Sequence, residues 1–144
     1  MRPWVGFLKK LVGKETRPDH LERGECGERA AQKHLQSLGF RLVVANYRIG
    51  RLEIDLVMRD AETLVFVEVK TRGPDGWTRP AAAVNSRKKR LLSQAALRYL
   101  AKSGHPKLPI RFDIVEVLMD ESRRIVELRH LPAAFALSSP YRYG

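Results

Sequence analysis

One segment limits the fold more than any other: residues 64–70 read Leu-Val-Phe-Val-Glu-Val-Lys. β-Branched and aromatic residues dominate the segment, which is typical of a buried β-strand. A carboxylate, Glu68, and an ammonium group, Lys70, nevertheless stand at its end. Burying an unpaired charge is costly, so we expect these two side chains to have partners or a chemical role.

The pattern along the rest of the chain predicts a helix-flanked mixed sheet. Residues 52–58 form another strand, joined to 64–70 by a short polar turn, so the two form a hairpin. The other expected elements are helices over 21–38 and 81–103 and strands over 40–47, 110–119 and 124–129. This order of elements is typical of an α/β fold. We expect one domain over 21–136, a basic amphipathic extension over 1–20 and a tail over 137–144.

The register of the hairpin decides whether its charged side chains meet. Because side chains alternate along a strand, Glu53 and Asp55 share one face, and Glu68 and Lys70 share one face of the next strand. A turn with an even number of residues places Asp55 opposite Glu68 and Glu53 opposite Lys70. A shift of one residue would send Asp55 and Glu68 to different faces. The chemistry favours the first register, whereas the turn sequence alone leaves it open.

The charge balance narrows the class of partner. The 144 residues include 27 Lys and Arg against 16 Asp and Glu, a formal net charge of +11. This excess favours a polyanionic partner, with nucleic acid first and an acidic membrane second. Residues 1–14 could form an amphipathic helix but have no signal-peptide core, and we do not expect them to bind a membrane.

Cysteine and histidine usage excludes two further classes of protein. The lone cysteine, Cys26, excludes an internal disulfide and is typical of a reducing compartment, so we expect a cytoplasmic protein. The four histidines show no zinc-ligand spacing. No apolar run reaches transmembrane length.

Two carboxylates and a lysine brought together in a basic protein are typical of divalent-metal chemistry on phosphates. Mg²⁺ prefers oxygen ligands and keeps several waters, so Asp55, Glu68 and the main-chain carbonyl of Val69 could hold Mg²⁺ or Mn²⁺. Lys70 would then lie beside a metal-bound water, and Glu28 could add a ligand if its helix packs against the sheet edge. A Glu-x-Lys at a strand end is also typical of a solvated edge or a cross-strand ion pair.

A set of motifs in a fixed order resembles the bacterial YraN family. The motifs are Gly-Glu-Arg-Ala-Ala at 27–31, Gly39-Phe40, Asn46-Tyr47-Arg48, Glu-Ile-Asp-Leu at 53–56, Phe-Val-Glu-Val-Lys-Thr-Arg at 66–72, Lys88, Arg111-Phe112-Asp113 and Ala134-Phe135. The match covers roughly residues 20–136, which makes it far more specific than any one motif. Through that family the chain is similar to the restriction-endonuclease-like (PD-(D/E)xK) nucleases, and to archaeal Holliday-junction resolvases in particular.

The resemblance implies a restriction-endonuclease-like mixed β-sheet flanked by helices and a metal-dependent nuclease site. Carried over to this sequence, Asp55, Glu68 and Lys70 would be the catalytic set and Glu28 the acid of the first helix. The family is regarded as endonucleases without a settled substrate, so the resemblance implies a chemistry and no biological role. This chain has Leu52 where the family usually has glycine, a change that alters no ligand.

Basic and aromatic residues around this strand are candidates for contact with nucleic acid. A flexible loop after the strand could clamp a backbone or stack on a base, although its Trp77 fits a local loop anchor equally well. Arg48 could position substrate or cap the sheet, and the resemblance singles out Lys88 from a basic run on the second helix. The candidates are Arg48, Arg72, Trp77, Arg79, Arg87 and Lys88.

Three functions follow from these observations. The first is a Mg²⁺- or Mn²⁺-dependent endonuclease that hydrolyses DNA; branched DNA is favoured, RNA stays open, and a branched substrate would favour a symmetric homodimer. The second is a nucleic-acid-binding or assembly module without hydrolysis, which the intact set of acids and lysine argues against. The third is a membrane-surface protein led by residues 1–14.

Overall fold

The computed structural model describes residues 19–76 and 84–144. The elements are α1 (Asp19–Ser37), β1 (Arg41–Ile49), β2 (Leu52–Asp60), β3 (Thr63–Arg72), a 3₁₀ turn (Pro74–Gly76), α2 (Ser86–Lys102), β4 (Ile110–Met119) and β5 (Ile125–Phe135). Most of the expected N-terminal extension, together with Trp77 and Arg79, lies outside the described residues. Neither helix in the described ranges is long and apolar enough to cross a membrane.

The five strands form one mixed sheet in the order β1-β2-β3-β4-β5. Neighbouring strands run antiparallel except β3 and β4, which run parallel. A parallel pair needs a crossover connection, and α2 lies in the segment that joins β3 to β4. The predicted α/β fold, a mixed sheet flanked by helices, is therefore confirmed.

Each face of the sheet packs against one helix. On the first face, Ala31 and Leu35 of α1 pack with Val67 of β3, and all three side chains are at most 1% exposed. On the second face, α2 packs against a cluster that contains Phe66 of β3. Because β3 is covered on both faces, its residues 64–67 are continuously apolar rather than alternating.

The start of α2 differs from the predicted position. Helical periodicity predicted a start at residue 81, but Val84 and Asn85 are not helical and α2 begins at Ser86. The Asn85 side chain accepts a hydrogen bond of 2.8 Å from the main-chain N of Lys88. Asparagine is a preferred N-cap because its side chain satisfies such an unpaired N–H, so the cap, and not the apolar pattern, determines where the helix begins.

β5 also extends further than predicted. The sequence indicated a strand over 124–129, whereas β5 runs from Ile125 to Phe135 and includes Pro132. Proline removes a backbone donor and is tolerated on an edge strand or at a bulge. Both conditions hold here, since β5 is an edge strand and its pairing with β4 shifts between Phe112 and Ile114.

A buried carboxylate fixes this irregular part of β5 to β4. Asp113 is 0% exposed, and its two oxygens lie 2.8 Å and 3.0 Å from Nε and Nη2 of Arg111. It also lies 2.8 Å from Nε2 of His130 and accepts a hydrogen bond of 3.0 Å from the main-chain N of Ala133. Every hydrogen-bonding direction of the carboxylate is therefore used for structure.

Replacing Asp113 with alanine is expected to destabilise the fold strongly. The change leaves Arg111 and His130 without their buried partner, a loss that typically costs about 3–5 kcal/mol. Urea unfolding would measure it. Glu121→Ala, which removes an exposed carboxylate beyond β4, is the matched control and should change stability by less than about 0.5 kcal/mol. Equal effects of the two changes would contradict the structural role.

Candidate active site

The central hairpin opens at Asp55. Backbone pairing between β2 and β3 runs from the two-residue turn 61–62 to the pair Leu56–Val67, which is the register that an even-numbered turn predicts. One step further the ladder stops. There the Asp55 carboxylate itself accepts a hydrogen bond, with its Oδ2 2.8 Å from the main-chain N of Val69. The carboxylate therefore lies between the two strands instead of on one face of β2.

The alternation of β2 side chains between the two faces of the sheet is also interrupted at Asp55. Ile54 packs in the α2-side cluster and Leu56 in the α1-side cluster, although regular alternation would place both on one face. On β1, the neighbouring Asn46 has a positive φ of 51°, and no backbone pair joins it to Asp55. The irregularity in both strands turns the Asp55 side chain towards β3.

Glu68 of β3 is the second acid of the site and is only 8% exposed. Burial raises the pKa of Glu68 to about 7, and the negative charge of Asp55 adds to the effect, while Lys88 and Lys70 oppose it. Burial likewise raises the pKa of Asp55, against the opposing hydrogen bond from Val69. Two poorly solvated acids side by side create a strong local demand for a cation.

Glu53 does not pair with Lys70 as the sequence predicted, because the ladder ends before it reaches them. Instead, Oε2 of Glu53 lies 4.0 Å from Nη2 of Arg48. Lys70 lies close enough to Glu68 to lower the pKa of Glu68, and the Lys70 side chain makes no hydrogen bond or ion pair with the described residues. Its ammonium group is thus available to a ligand.

Helix α1 adds a third acid. Gly27 lies so close to β3 that a β-carbon there would collide with the hydroxyl of Thr71, so only glycine allows this approach. The next residue, Glu28, shares a cleft of about 430 Å³ with Glu53 and Asp55. Burial, with a contribution from the charge of Asp55, raises the pKa of Glu28 to about 7. The helix thus packs on a face of the sheet and not against its edge, and it brings Glu28 to the same cleft as Asp55.

The donors fit a magnesium-type ion better than a zinc-type ion. Within residues 19–76 and 84–144, no three His, Cys, Asp or Glu side chains are grouped closely enough to hold a metal by themselves. Mg²⁺ does not need such a cage, because one or two carboxylates together with waters and a phosphate suffice. Asp55 and Glu68 supply two carboxylates, and the Val69 carbonyl and Glu28 stay predicted ligands.

The candidate nucleic-acid contacts separate into different environments. Arg48 has a side chain 77% exposed, and Arg87 is exposed on the first turn of α2. Arg72 is held in the protein: its Nε donates a hydrogen bond of 3.0 Å to Glu116, and its side chain is only 16% exposed. Lys88 contacts the site itself, with Nζ 3.5 Å from Oε1 of Glu68.

Two features of the site escaped prediction. Glu116 of β4 is fully buried between Arg72 and Arg129, 3.2 Å from Nη1 of the latter. The reasoning applied to Glu68, a carboxylate inside an apolar strand, would have identified it. The contact between Lys88 and Glu68 has no such signal, because the two lie on elements whose relative position only the tertiary structure determines.

Replacing Glu68 with glutamine is expected to stabilise the metal-free protein at pH 8. A carboxyl whose pKa is raised on folding binds more protons in the folded state, so its contribution to stability falls as pH rises from 4.5 to about 7. The amide carries no charge and avoids this loss. Calorimetry in EDTA should show a melting temperature several degrees above wild type at pH 8, with the difference fading towards pH 4.5.

The matched control is Glu62→Gln, an exposed position in the hairpin turn. We expect this variant to have the melting temperature of wild type at both pH 8 and pH 4.5. A lower melting temperature for Glu68→Gln at pH 8 would contradict the electrostatic account of the site.

Comparison with known proteins identifies the family. A family model described as "Uncharacterised protein family UPF0102" matches residues 27–117, a range that includes all the acids described above. A UPF0102 protein of Chlorobaculum tepidum is 43% identical over 78% of this chain and 90% of its own length. One of Geotalea uraniireducens is 39% identical over 86% and 97%, and one of Symbiobacterium thermophilum is 46% identical over 65% and 80%. The chain belongs to the UPF0102 family, the YraN family that its motifs indicated.

Proposed function

We propose that this protein is a metal-dependent endonuclease that hydrolyses phosphodiester bonds of DNA. The observation that carries the proposal is the meeting of Asp55 and Glu68 where β2 and β3 separate, beside two lysines. Acids whose pKa is raised by burial are costly to a fold and cluster at functional sites. They are also the oxygen ligands that Mg²⁺ and Mn²⁺ prefer.

Each residue has its own role in the proposed reaction. A bound divalent ion would polarise the scissile phosphate and lower the pKa of a coordinated water. Asp55 and Glu68 would hold the ion together with the Val69 carbonyl, and Glu28 would support it from across the cleft. The Lys70 ammonium would stabilise the negative charge that grows on the phosphate during attack.

The net charge of +11 supports a nucleic acid as the substrate. Exposed cations such as Arg48 and Arg87 would attract its backbone, although phosphate attraction carries no information on sequence or shape. We favour branched DNA because the motifs resemble those of junction resolvases, which have a restriction-endonuclease-like sheet. The proposed compartment is the cytoplasm. A junction has two strands to cut, so this substrate goes with a symmetric homodimer.

A binding module without hydrolysis is the second candidate. The net charge of +11 fits it as well, because attraction of a phosphate backbone needs no hydrolysis. Its signature would be DNA or RNA binding that is sensitive to salt, indifferent to Mg²⁺ and stronger once Asp55 is neutralised. The proposed nuclease would also bind in a salt-sensitive way. In contrast to the module, it would depend on Mg²⁺ and would not gain from neutralising Asp55.

Asp55→Asn is expected to abolish cleavage while leaving the fold intact. The amide can still accept the hydrogen bond from Val69, but it removes the charge that would hold a divalent ion. The assay is cleavage with Mg²⁺ or Mn²⁺ of a four-way junction, a flap, single-stranded DNA, duplex DNA and RNA. We expect activity to fall at least about 100-fold, and the preferred substrate of wild type would define the substrate class.

The control for this assay is Asp75→Asn, which makes the same chemical change at an exposed position in the 3₁₀ turn. Each variant is purified separately, because contaminating nucleases would otherwise imitate activity. Cleavage that survives in Asp55→Asn would sink the proposal, and binding without cleavage by wild type would favour the module.

Lys70→Ala separates chemistry from metal binding. We expect cleavage to fall at least about 100-fold, since the cation that stabilises the transition-state charge is lost, while Mn²⁺ affinity is not weakened. Lys102→Ala, at the exposed end of α2, removes the same charge away from the site and should retain activity. Titration calorimetry with Mn²⁺ beside the cleavage assay tests both parts. Wild-type cleavage by Lys70→Ala would exclude its catalytic role.

A further inference from the structure

Lys88 is the cation in direct contact with the acid pair. Its Nζ lies 3.5 Å from Oε1 of Glu68, and its charge acts on Asp55 as well. Lys70, the lysine expected in the site, forms no ion pair with Glu68 in the part of the chain that the structure describes. The cation that contacts the acids directly therefore comes from α2 and not from β3, the strand of Glu68 and Lys70.

The position of Lys88 is fixed by the local structure of α2. Asn85 caps the helix by accepting a hydrogen bond from the main-chain N of Lys88, so the backbone of this residue is anchored in the first turn. The side chain is 45% exposed and reaches the 10%-exposed side chain of Glu68. One end of the ion pair is therefore free to move into solvent, while the other is confined in the site.

An ordinary surface ion pair would explain the distance of 3.5 Å between Lys88 and Glu68 but not the burial of Glu68. Exposed pairs contribute little because both partners are well solvated. Glu68 is only 8% exposed and lies beside a second acid, so little water reaches its ionised carboxylate and a nearby positive charge stabilises it. Nothing else among the described residues forms an ion pair with Glu68.

We propose that Lys88 is a second lysine of the active site, whose ammonium occupies the position of the divalent ion at Glu68 in the metal-free protein and moves to a substrate phosphate when the ion binds. This inference rests on the proposed nuclease function. It assigns Lys88 two successive partners, first a carboxylate and then a phosphate, which a four-carbon side chain anchored at the helix start can reach in turn.

The proposal requires metal affinity and activity to move in opposite directions when Lys88 is neutralised. Lys88→Gln removes a competing and repelling positive charge, so Mn²⁺ should bind more tightly at pH 8, by about tenfold. A divalent ion feels this change twice as strongly as a monovalent cation does, because the electrostatic energy scales with its charge. Cleavage should fall at least about 100-fold because a phosphate contact is lost.

The experiment compares wild type with Lys88→Gln, Lys88→Arg and Arg90→Gln. Arg90 is exposed on the same helical turn, so its change removes an equal charge from α2 without touching Glu68. Mn²⁺ affinity is measured by titration calorimetry and by electron paramagnetic resonance of free Mn²⁺, and cleavage on the preferred substrate. We expect Lys88→Arg to keep wild-type Mn²⁺ affinity, since it keeps the charge, and Arg90→Gln to change both readouts less than threefold.

The outcomes separate this inference from the proposed function. If wild type binds Mn²⁺ and cleaves, but Lys88→Gln behaves like Arg90→Gln, the inference alone is overturned. Weaker Mn²⁺ binding together with lost cleavage in Lys88→Gln would show that Lys88 supports the shape of the site, and would also overturn it. Wild type that neither binds Mn²⁺ nor cleaves would overturn the proposed function and the inference together.

Discussion

A side-chain carboxylate replaces a backbone carbonyl where the central hairpin opens, and the rest of the site depends on this substitution. A buried main-chain N–H needs an acceptor, and in a continued ladder Val69 would find one on β2. Asp55 supplies the acceptor from its side chain, at 2.8 Å. The strands can therefore separate without an unsatisfied donor, and the same hydrogen bond brings the Asp55 carboxylate beside Glu68 of β3.

The two helices add one charged group each, and both depend on a local feature of sequence. The absence of a side chain at Gly27 lets α1 approach Thr71 of β3, which brings Glu28 to the cleft. The Asn85 cap begins α2 at the position that lets Lys88 reach Glu68. The sheet thus provides two acids, while the helices on opposite faces supply an acid and a cation.

The parts of this arrangement that depend on local pattern could be predicted from sequence, and those that depend on tertiary contacts could not. The apolar run of β3 and the short turn after β2 predicted the hairpin and its register, because strand alternation allows only two choices. Alternation itself fails at Asp55, where Asn46 adopts a positive φ and both strands become irregular. Likewise, the sequence pattern predicted a strand only over 124–129, whereas the edge position of β5 lets the strand continue through Pro132.

The site concentrates negative charge in a protein whose net charge is +11. Burial and repulsion from neighbouring acids raise the pKa values of Glu28, Asp55 and Glu68, so the ionised acids reduce the stability of the metal-free fold. A surface that only binds phosphate would bind better without them, because carboxylates repel phosphate. A cation attracts carboxylates and phosphate alike, but a lysine ammonium contacts only one of these partners at a time. A divalent ion binds carboxylates and phosphate together. Metal binding therefore accounts for the acids, which phosphate binding alone does not.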